Sequence, residues 1–231
     1  MTKRSLLRII MAPYDPLGIA APALLSCKLF QRLVFPPATD DPHGYHALGW
    51  DDPLPSRLND QWKEVISTCL QVQDLSLDRS FYPPGHGTPR EQQLFAFADA
   101  SDFAMCGVVY IRTVTTTDET FVSFVCGFSK VLPKGTTFKG CLSIPRAELC
   151  AAVALAEKVA EIERELKEAG EENFICLPTQ FFSDSQDVID WIANTKDRQK
   201  RYVASRIARI LKTSSISDWK HIPTAWNPAD V

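Results

Sequence analysis

Short apolar runs separated by polar turns characterise the middle of the chain. Leu94–Ala100, Cys106–Arg112 and Thr120–Phe128 are rich in Val, Phe and Ala, and segments such as 113–119 between them carry turn-forming residues. Such runs are typical of β-strands joined by tight connections. The pattern therefore predicts three successive antiparallel strands.

A helical period follows these strands. Pro145 opens a pattern that runs to Ala169 and is closed by Gly170, and proline is well tolerated in the first helical turn. One side of this predicted helix is apolar and suited to lie on a sheet: Leu149, Val153, Ala156, Ala160 and Leu166. The opposite side carries the acidic stretch 161–172, which we interpret as solvent-exposed.

The remainder alternates strand and helix patterns. Phe174–Ser183 and Asp218–Ile222 read as strands, whereas Gln186–Asn194 and Arg198–Lys212 read as helices. The resulting βββαβαβ order, with two short helices before the last strand, predicts an α/β domain with a mixed five-stranded sheet.

The amino-terminal part has a different texture. Ile19–Phe35 and Leu54–Leu70 have apolar residues at helical spacing, and 82–89 (YPPGHGTP) has the composition of a linker. We therefore predict a mainly helical segment at residues 1–88 and a separate domain at 89–231.

Composition narrows the classes of function. The formal net charge of −3 gives no overall attraction to nucleic acid, so such binding needs a local basic patch. The 7 cysteines include no C-x-x-C pair, which favours reduced thiols in an intracellular compartment, cytoplasmic or nuclear. No apolar stretch approaches the roughly 20 residues of a membrane span.

Three acids stand out by their positions. Asp99 ends a predicted strand, Glu148 lies in the first turn of the long helix, and Asp184 ends the fourth strand. In a layered fold such ends can converge, and carboxylates that meet need a cation such as Mg²⁺ or Mn²⁺. Each acid also has a purely structural interpretation: a turn with Ser101 and Asp102 for Asp99, a helix-dipole contact for Glu148, and an N-cap for Asp184.

A basic cluster near the carboxyl-terminal end supplies the local patch that nucleic acid would need. Asp197 is the sole acid among seven cations there. A solvated helix face is the alternative, and contact with backbone phosphates is the functional interpretation. The cations are Lys196, Arg198, Lys200, Arg201, Arg206, Arg209 and Lys212.

Four strings occur in an informative order: FADASD, IPRAEL, FFSDS and HIPTAWNPAD. Together they resemble the ribonuclease H domain of Bel/Pao-type retrotransposon polyproteins. The strings KRSLLRIIMAPYDPLGIAAP and GWDDPLP are similar to the segment that such polyproteins carry between polymerase palm and ribonuclease H. The resemblance covers nearly the whole chain.

The resemblance implies a ribonuclease H-like fold and two Mg²⁺ (or Mn²⁺) ions that promote hydrolysis of the RNA strand of an RNA–DNA hybrid. Asp99 would bridge both ions, Asp230 would help to hold the ion that activates water, and Glu148 and Asp184 would hold the other ion. Glu148 would also contact a 2′-hydroxyl. The implied partners are the hybrid and the rest of the polyprotein, including polymerase and integrase.

One departure from the family pattern leaves activity open. The sequence stops at Val231, directly after Asp230, where the family continues into a helix. We therefore expect a domain truncated before its last helix, and a catalytically silent remnant that binds nucleic acid or protein is the alternative hypothesis.

Two related activities are not expected. An aspartic peptidase needs Asp-Thr/Ser-Gly, which the residues 99–102 (DASD) do not match. A polymerase palm needs an aspartate pair on a hairpin between apolar strands. The pairs at 40–41 and 51–52 lie instead in proline-rich loops.

Overall fold

Three long antiparallel strands form one half of the sheet: β1 (Pro89–Ala100), β2 (Ala104–Thr115) and β3 (Thr120–Val131). The computed structural model describes residues 1–78, 80–132, 143–168, 176–196 and 198–230. The strands are longer than their apolar runs because polar residues continue the pairing. Gln92 Nε2 donates to Thr113 Oγ1 across β1 and β2 at 2.8 Å, in a buried position.

The other elements follow in the predicted order: α4 (Ile144–Glu168), β4 (Cys176–Ser183), α5 (Gln186–Ala193), α6 (Arg201–Ile210) and β5 (Trp219–His221). The sheet has the order β3-β2-β1-β4-β5, with β4 parallel to both β1 and β5. The prediction of a mixed five-stranded α/β sheet is confirmed. The predicted helix end at Gly170 and the start of the fourth strand at Phe174 lie outside the described residues.

Helix α4 covers one face of the sheet. Its residues Leu149, Val153 and Ala156 are buried in the same cluster as Ala96 of β1 and Ile111 of β2. Because these positions recur at three- and four-residue spacing, one side of the helix faces the sheet along its length. This packing fixes where the first turn of α4 lies relative to the strand ends.

Residues before β1 form helices α1 (Lys3–Ile10), α2 (Ala21–Val34) and α3 (Ser56–Leu70), which enclose an apolar cluster of their own. Helix α2 begins later than the apolar pattern predicts. The Asp15 carboxylate accepts hydrogen bonds from the backbone N–H groups of Ile19 and Ala20, both at 2.9 Å, and so holds these residues in the preceding turn.

The helical segment packs against the edge strand β3. Gly127 N–H donates to Leu17 O at 2.8 Å, and Lys28 Nζ donates to Ser129 O at 3.0 Å. A Cβ at Gly18, whose φ is +71°, would lie 1.8 Å from Gly127 O, so only glycine permits this approach. The helical segment and the sheet have separate apolar clusters, although Phe81 packs against the sheet cluster. The boundary at residue 88 stays a prediction.

Among the helices of the described residues, none is both long and apolar enough to cross a bilayer.

Candidate metal centre

The register of the two central strands brings two acids together. Ala98 of β1 pairs with Ser183 of β4, so Asp99 and Asp184 follow at the same edge of the sheet. Parallel strands end on the same side, which is why two acids distant in sequence become neighbours here. Both side chains are partly buried.

The third acid, Glu148, lies on helix α4, which covers the sheet. Glu148 lies in the first turns of α4 and is 7% exposed. One carboxylate oxygen from each of Asp99, Glu148 and Asp184 lies within 4.8 Å of the other two. We call these three residues the carboxylate cluster.

Two oxygens of the carboxylate cluster lack a protein partner. Glu148 Oε2 and Asp184 Oδ1 are buried, and neither accepts a hydrogen bond from the part of the chain that the structure describes. Buried acceptors without partners are costly, so they occur mostly where a missing ion or water completes them. The donors are all carboxylate oxygens, which fits Mg²⁺ or Mn²⁺ rather than a thiolate- or imidazole-bound ion.

The electrostatics of the cluster agree with a cation site. Burial, followed by the negative charge of Asp184, raises the pKa of Asp99 to about 6. Burial, followed by the charges of Asp99 and Asp184, raises the pKa of Glu148 to about 8. Desolvation and like charge both disfavour the ionised form, and a bound cation would remove both effects.

The N-cap interpretation of Asp184 is wrong. The N-cap of α5 is Ser185, whereas Asp184 belongs to the turn before it. Its carboxylate is thus free of the capping role that would otherwise explain an acid at this point.

Asp230, the fourth expected acid, lies outside the carboxylate cluster. Its side chain is exposed, yet its charge contributes to the raised pKa values of both Asp99 and Glu148. Asp230 is therefore close enough to affect the carboxylate cluster electrostatically, but it is not one of the residues whose oxygens lie within 4.8 Å of one another.

Asn227, which sequence reasoning missed, fastens the segment that carries Asp230. It is 4% exposed; its Nδ2 donates to Ala98 O at 3.1 Å, and its Oδ1 accepts from the Ala229 N–H at 3.1 Å. Cys106 Sγ adds a contact to Ala229 O at 3.1 Å. The NPAD string was the available signal, because an amide can satisfy a carbonyl and an N–H together.

The basic segment divides into two groups. Arg206 and Arg209 of α6 turn toward α4, where Arg206 Nε contacts Cys150 Sγ at 3.3 Å and Arg209 Nη2 contacts Glu157 Oε1 at 2.7 Å. The other cations of the segment are exposed: Lys196, Arg198, Lys200 and Arg201 at or just before the start of α6, and Lys212 after its end. Asp197 lies outside the described residues.

An exposed arginine missed by sequence reasoning links this surface to the carboxylate cluster. Arg146 lies two residues before Glu148, and its guanidinium carbon is 4.9 Å from the centroid of the Tyr202 ring. Arg206 stacks on the same ring at 3.5 Å. Tyr202 thus holds cations from both α4 and α6 together.

The sheet order, the covering helix α4 and acids at the ends of β1 and β4 define a ribonuclease H-like domain. A family model described as "Pao retrotransposon-like RNaseH-like domain" matches residues 2–185. The chain belongs to this Pao retrotransposon family. The matched range includes the carboxylate cluster and ends before Asp230.

The solved structures to which the chain is similar include ribonucleases H. RNase H1 from the halophilic archaeon Halobacterium salinarum NRC-1 is 16% identical, with a TM-score of 0.35 over 60% of this chain and 90% of that one. LC11-RNase H1, solved in complex with an RNA/DNA hybrid, is 10% identical to this chain. Its TM-score is 0.36, and the match covers 59% of this chain and 88% of LC11-RNase H1.

A retroviral enzyme is also similar. Prototype foamy virus protease-reverse transcriptase is 14% identical, with a TM-score of 0.30, covering 65% of this chain and 20% of that chain. None of the curated proteins compared with the chain matches it.

Proposed function

We propose that this chain is a metal-dependent nuclease domain that hydrolyses the RNA strand of RNA–DNA hybrids. The observation that carries the proposal is the carboxylate cluster, in which Glu148 and Asp184 each have a buried oxygen without a described partner. Membership of the Pao family agrees with this chemistry.

Asp99, Glu148 and Asp184 would hold Mg²⁺ or Mn²⁺, and Asp230 would complete a second ion position. Bound there, two ions would lower the pKa of a water molecule and neutralise charge on the scissile phosphate. The protein's own contribution is to position the acids: the β1–β4 register fixes Asp99 beside Asp184, and α4 packing brings Glu148 to them.

The substrate surface would run from Arg146 to the exposed cations at the start of α6. Arg198, Lys200 and Arg201 are exposed and suited to backbone phosphates, which give affinity without reading sequence. Glu148 would contact a 2′-hydroxyl of the RNA strand, because that group distinguishes RNA from DNA.

The context would be a retroelement polyprotein inside the cell, with polymerase and integrase segments as neighbours. Family membership supports the polyprotein context. Free thiols at Cys106, Cys126 and Cys150 support the intracellular location.

Cleavage of a fluorescently labelled RNA–DNA hybrid by the purified chain, in Mg²⁺ and in Mn²⁺, tests the proposal. We expect Asp99→Asn to lower the rate about 1,000-fold or more, because stabilisation by the metal ions is worth several kcal/mol. The matched control is Asp102→Asn, an exposed acid three residues away, which should retain the activity.

The alternative is a silent remnant that binds nucleic acid or protein through the same fold. The position of Asp230 outside the carboxylate cluster is the observation in its favour. Absence of cleavage by the unmutated chain, together with intact hybrid binding and no calorimetric Mn²⁺ binding, would support the remnant and contradict the nuclease.

A further inference from the structure

Two cysteine thiols meet in the apolar cluster of the helical segment. Cys27 of α2 and Cys69 of α3 lie with their Sγ atoms 3.2 Å apart, although 42 residues separate them in sequence. Cys27 is 2% exposed, whereas Cys69 is partly exposed and also contacts Ala23 O at 3.2 Å.

We propose that Cys27 and Cys69 are a modification site, at which a low-molecular-weight disulfide such as oxidised glutathione converts the two thiols into a reversible disulfide. A disulfide needs a sulfur–sulfur distance of about 2 Å, so the two Sγ atoms need to approach by about 1 Å. Rotation about the Cα–Cβ bonds of the two cysteines would supply this approach.

The other described thiols lack this arrangement. Cys150 Sγ contacts Tyr202 Oη at 3.2 Å, and Cys106 Sγ contacts Ala229 O at 3.1 Å. Cys126 is buried in the sheet cluster. Proximity to a second thiol, rather than burial or exposure alone, therefore distinguishes the pair.

The difference in exposure sets the order of the steps. The partly exposed Cys69 thiolate attacks one sulfur of oxidised glutathione, forms a Cys69–glutathione bond and releases glutathione thiolate. Cys27, after losing its proton to solvent, then attacks the Cys69 sulfur and releases a second glutathione thiolate. Two protein thiols are oxidised and one glutathione disulfide is reduced to two glutathione molecules.

The environment of Cys27 suits the second step rather than the first. Burial has the largest effect on Cys27, followed by its hydrogen bond with Cys69 and the charge of Cys69. Together they raise the pKa of Cys27 to about 12. Once glutathione is attached to Cys69, that sulfur no longer ionises, so its charge no longer raises the Cys27 pKa, whereas burial still does. Cys27 then reacts with a sulfur held beside it.

The disulfide would link the helix that contacts the sheet to its neighbour. Helix α2 donates to β3 through Lys28 Nζ to Ser129 O, and to Leu132 O directly after β3 through Arg32 Nη1, each at 3.0 Å. A covalent bond from α2 to α3 closes a long loop, which restricts the unfolded chain. The oxidised helical segment should therefore resist denaturant better than the reduced one.

The test is equilibration of the full chain with reduced and oxidised glutathione, followed by acid quenching, alkylation and peptide mass spectrometry. We expect a peptide pair joined through Cys27 and Cys69, reversed by excess reduced glutathione. Cys126→Ser, the matched buried control, should keep the linked pair, whereas Cys69→Ser should leave Cys27 alkylated. Cys27→Ser should retain glutathione on Cys69.

Three results would overturn the proposal. They are a stable glutathione adduct on Cys69 in the unmutated chain, a link from Cys27 to another cysteine, or two unmodified thiols when glutathione is fully oxidised. Circular dichroism of each variant checks that it folds. A urea titration of the unmutated chain should show a higher midpoint after oxidation, and an unchanged midpoint would remove the stabilising role.

Discussion

Helix α4 carries two kinds of acid: exposed acids that pair with cations, and a buried acid that lies beside other carboxylates. Toward the exposed middle and end of the helix, Glu157 contacts Arg209 at 2.7 Å, and Glu161 contacts Lys158 at 3.2 Å. In the first turns, Glu148 is buried beside two further carboxylates, and one of its oxygens has no described partner.

The comparison shows that abundance of acids is a poor guide to a metal site. Acids paired with cations on the surface contribute little to stability and need no further ligand. An acid such as Glu148, placed among like charges in a desolvated position, is retained at a cost to the metal-free fold. The distinction lies in the surroundings of each carboxylate.

The largest effect expected from this comparison is on metal-dependent cleavage. Glu148→Gln should lower the hybrid cleavage rate about 100-fold or more, because it removes one charged ligand of the proposed ions. Glu161→Gln, on the same helix, should leave the rate within about twofold. Equal losses in both variants, measured with the same labelled hybrid, would contradict the assignment.

The next effect is on the pH dependence of the free energy of unfolding, measured with a chelator present so that no metal ion is bound. The folded pKa of Glu148, about 8, is above its usual 4.5. The contribution of protonated Glu148 to the free energy of unfolding is therefore fully present below about pH 4.5, and it is lost as the pH rises through about 8. We expect Glu148→Gln to reduce this loss of unfolding free energy by about 4 kcal/mol, measured by urea unfolding at pH 5 and pH 9.

Glu161→Gln is again the control, since its exposed carboxylate should leave the pH profile unchanged. Addition of Mn²⁺ should abolish the loss in the unmutated protein, because a cation favours the ionised acids. A pH profile that is identical in the unmutated and Glu148→Gln proteins would show that Glu148 ionises normally.

A smaller effect is expected at Asn227. Asn227→Ala leaves Ala98 O and the Ala229 N–H without their partner, which should lower the free energy of unfolding by about 1–3 kcal/mol. Cleavage should fall further than stability explains, because Asp230 loses its anchor. Gln186→Ala, which removes an exposed amide contact, should change stability by less than about 0.5 kcal/mol.

The smallest effect should be on affinity for the hybrid. Arg201→Ala should weaken binding about three- to tenfold and lower the slope of log affinity against log salt by about 1. Arg164→Ala, an exposed cation on α4 that pairs with Glu165, is the matched control. Fluorescence anisotropy at several salt concentrations measures the affinity and its salt dependence for each variant. A slope for Arg201→Ala equal to that of the unmutated protein would exclude Arg201 from the interface.

Much of the fold was predictable because local patterns and packing agree. The short apolar runs of β1 to β3 and the apolar side of α4 led to the correct elements and their order. Boundaries were less predictable. β2 runs to Thr115 because Thr113 and Thr115 are buried in the sheet, and α6 is shorter than its basic pattern suggested.

The amino-acid sequence by itself determined which residues carry carboxylates and that these residues lie near the ends of predicted strands or the start of a predicted helix. Tertiary structure decided which carboxylates meet: the strand register placed Asp184 beside Asp99, helix packing added Glu148, and Asp230 stayed outside the cluster. It also decided that Asn227 fastens the last segment and that Cys27 lies against Cys69. These are contacts between distant residues, and local propensity carries no information about them, because they depend on how whole elements pack.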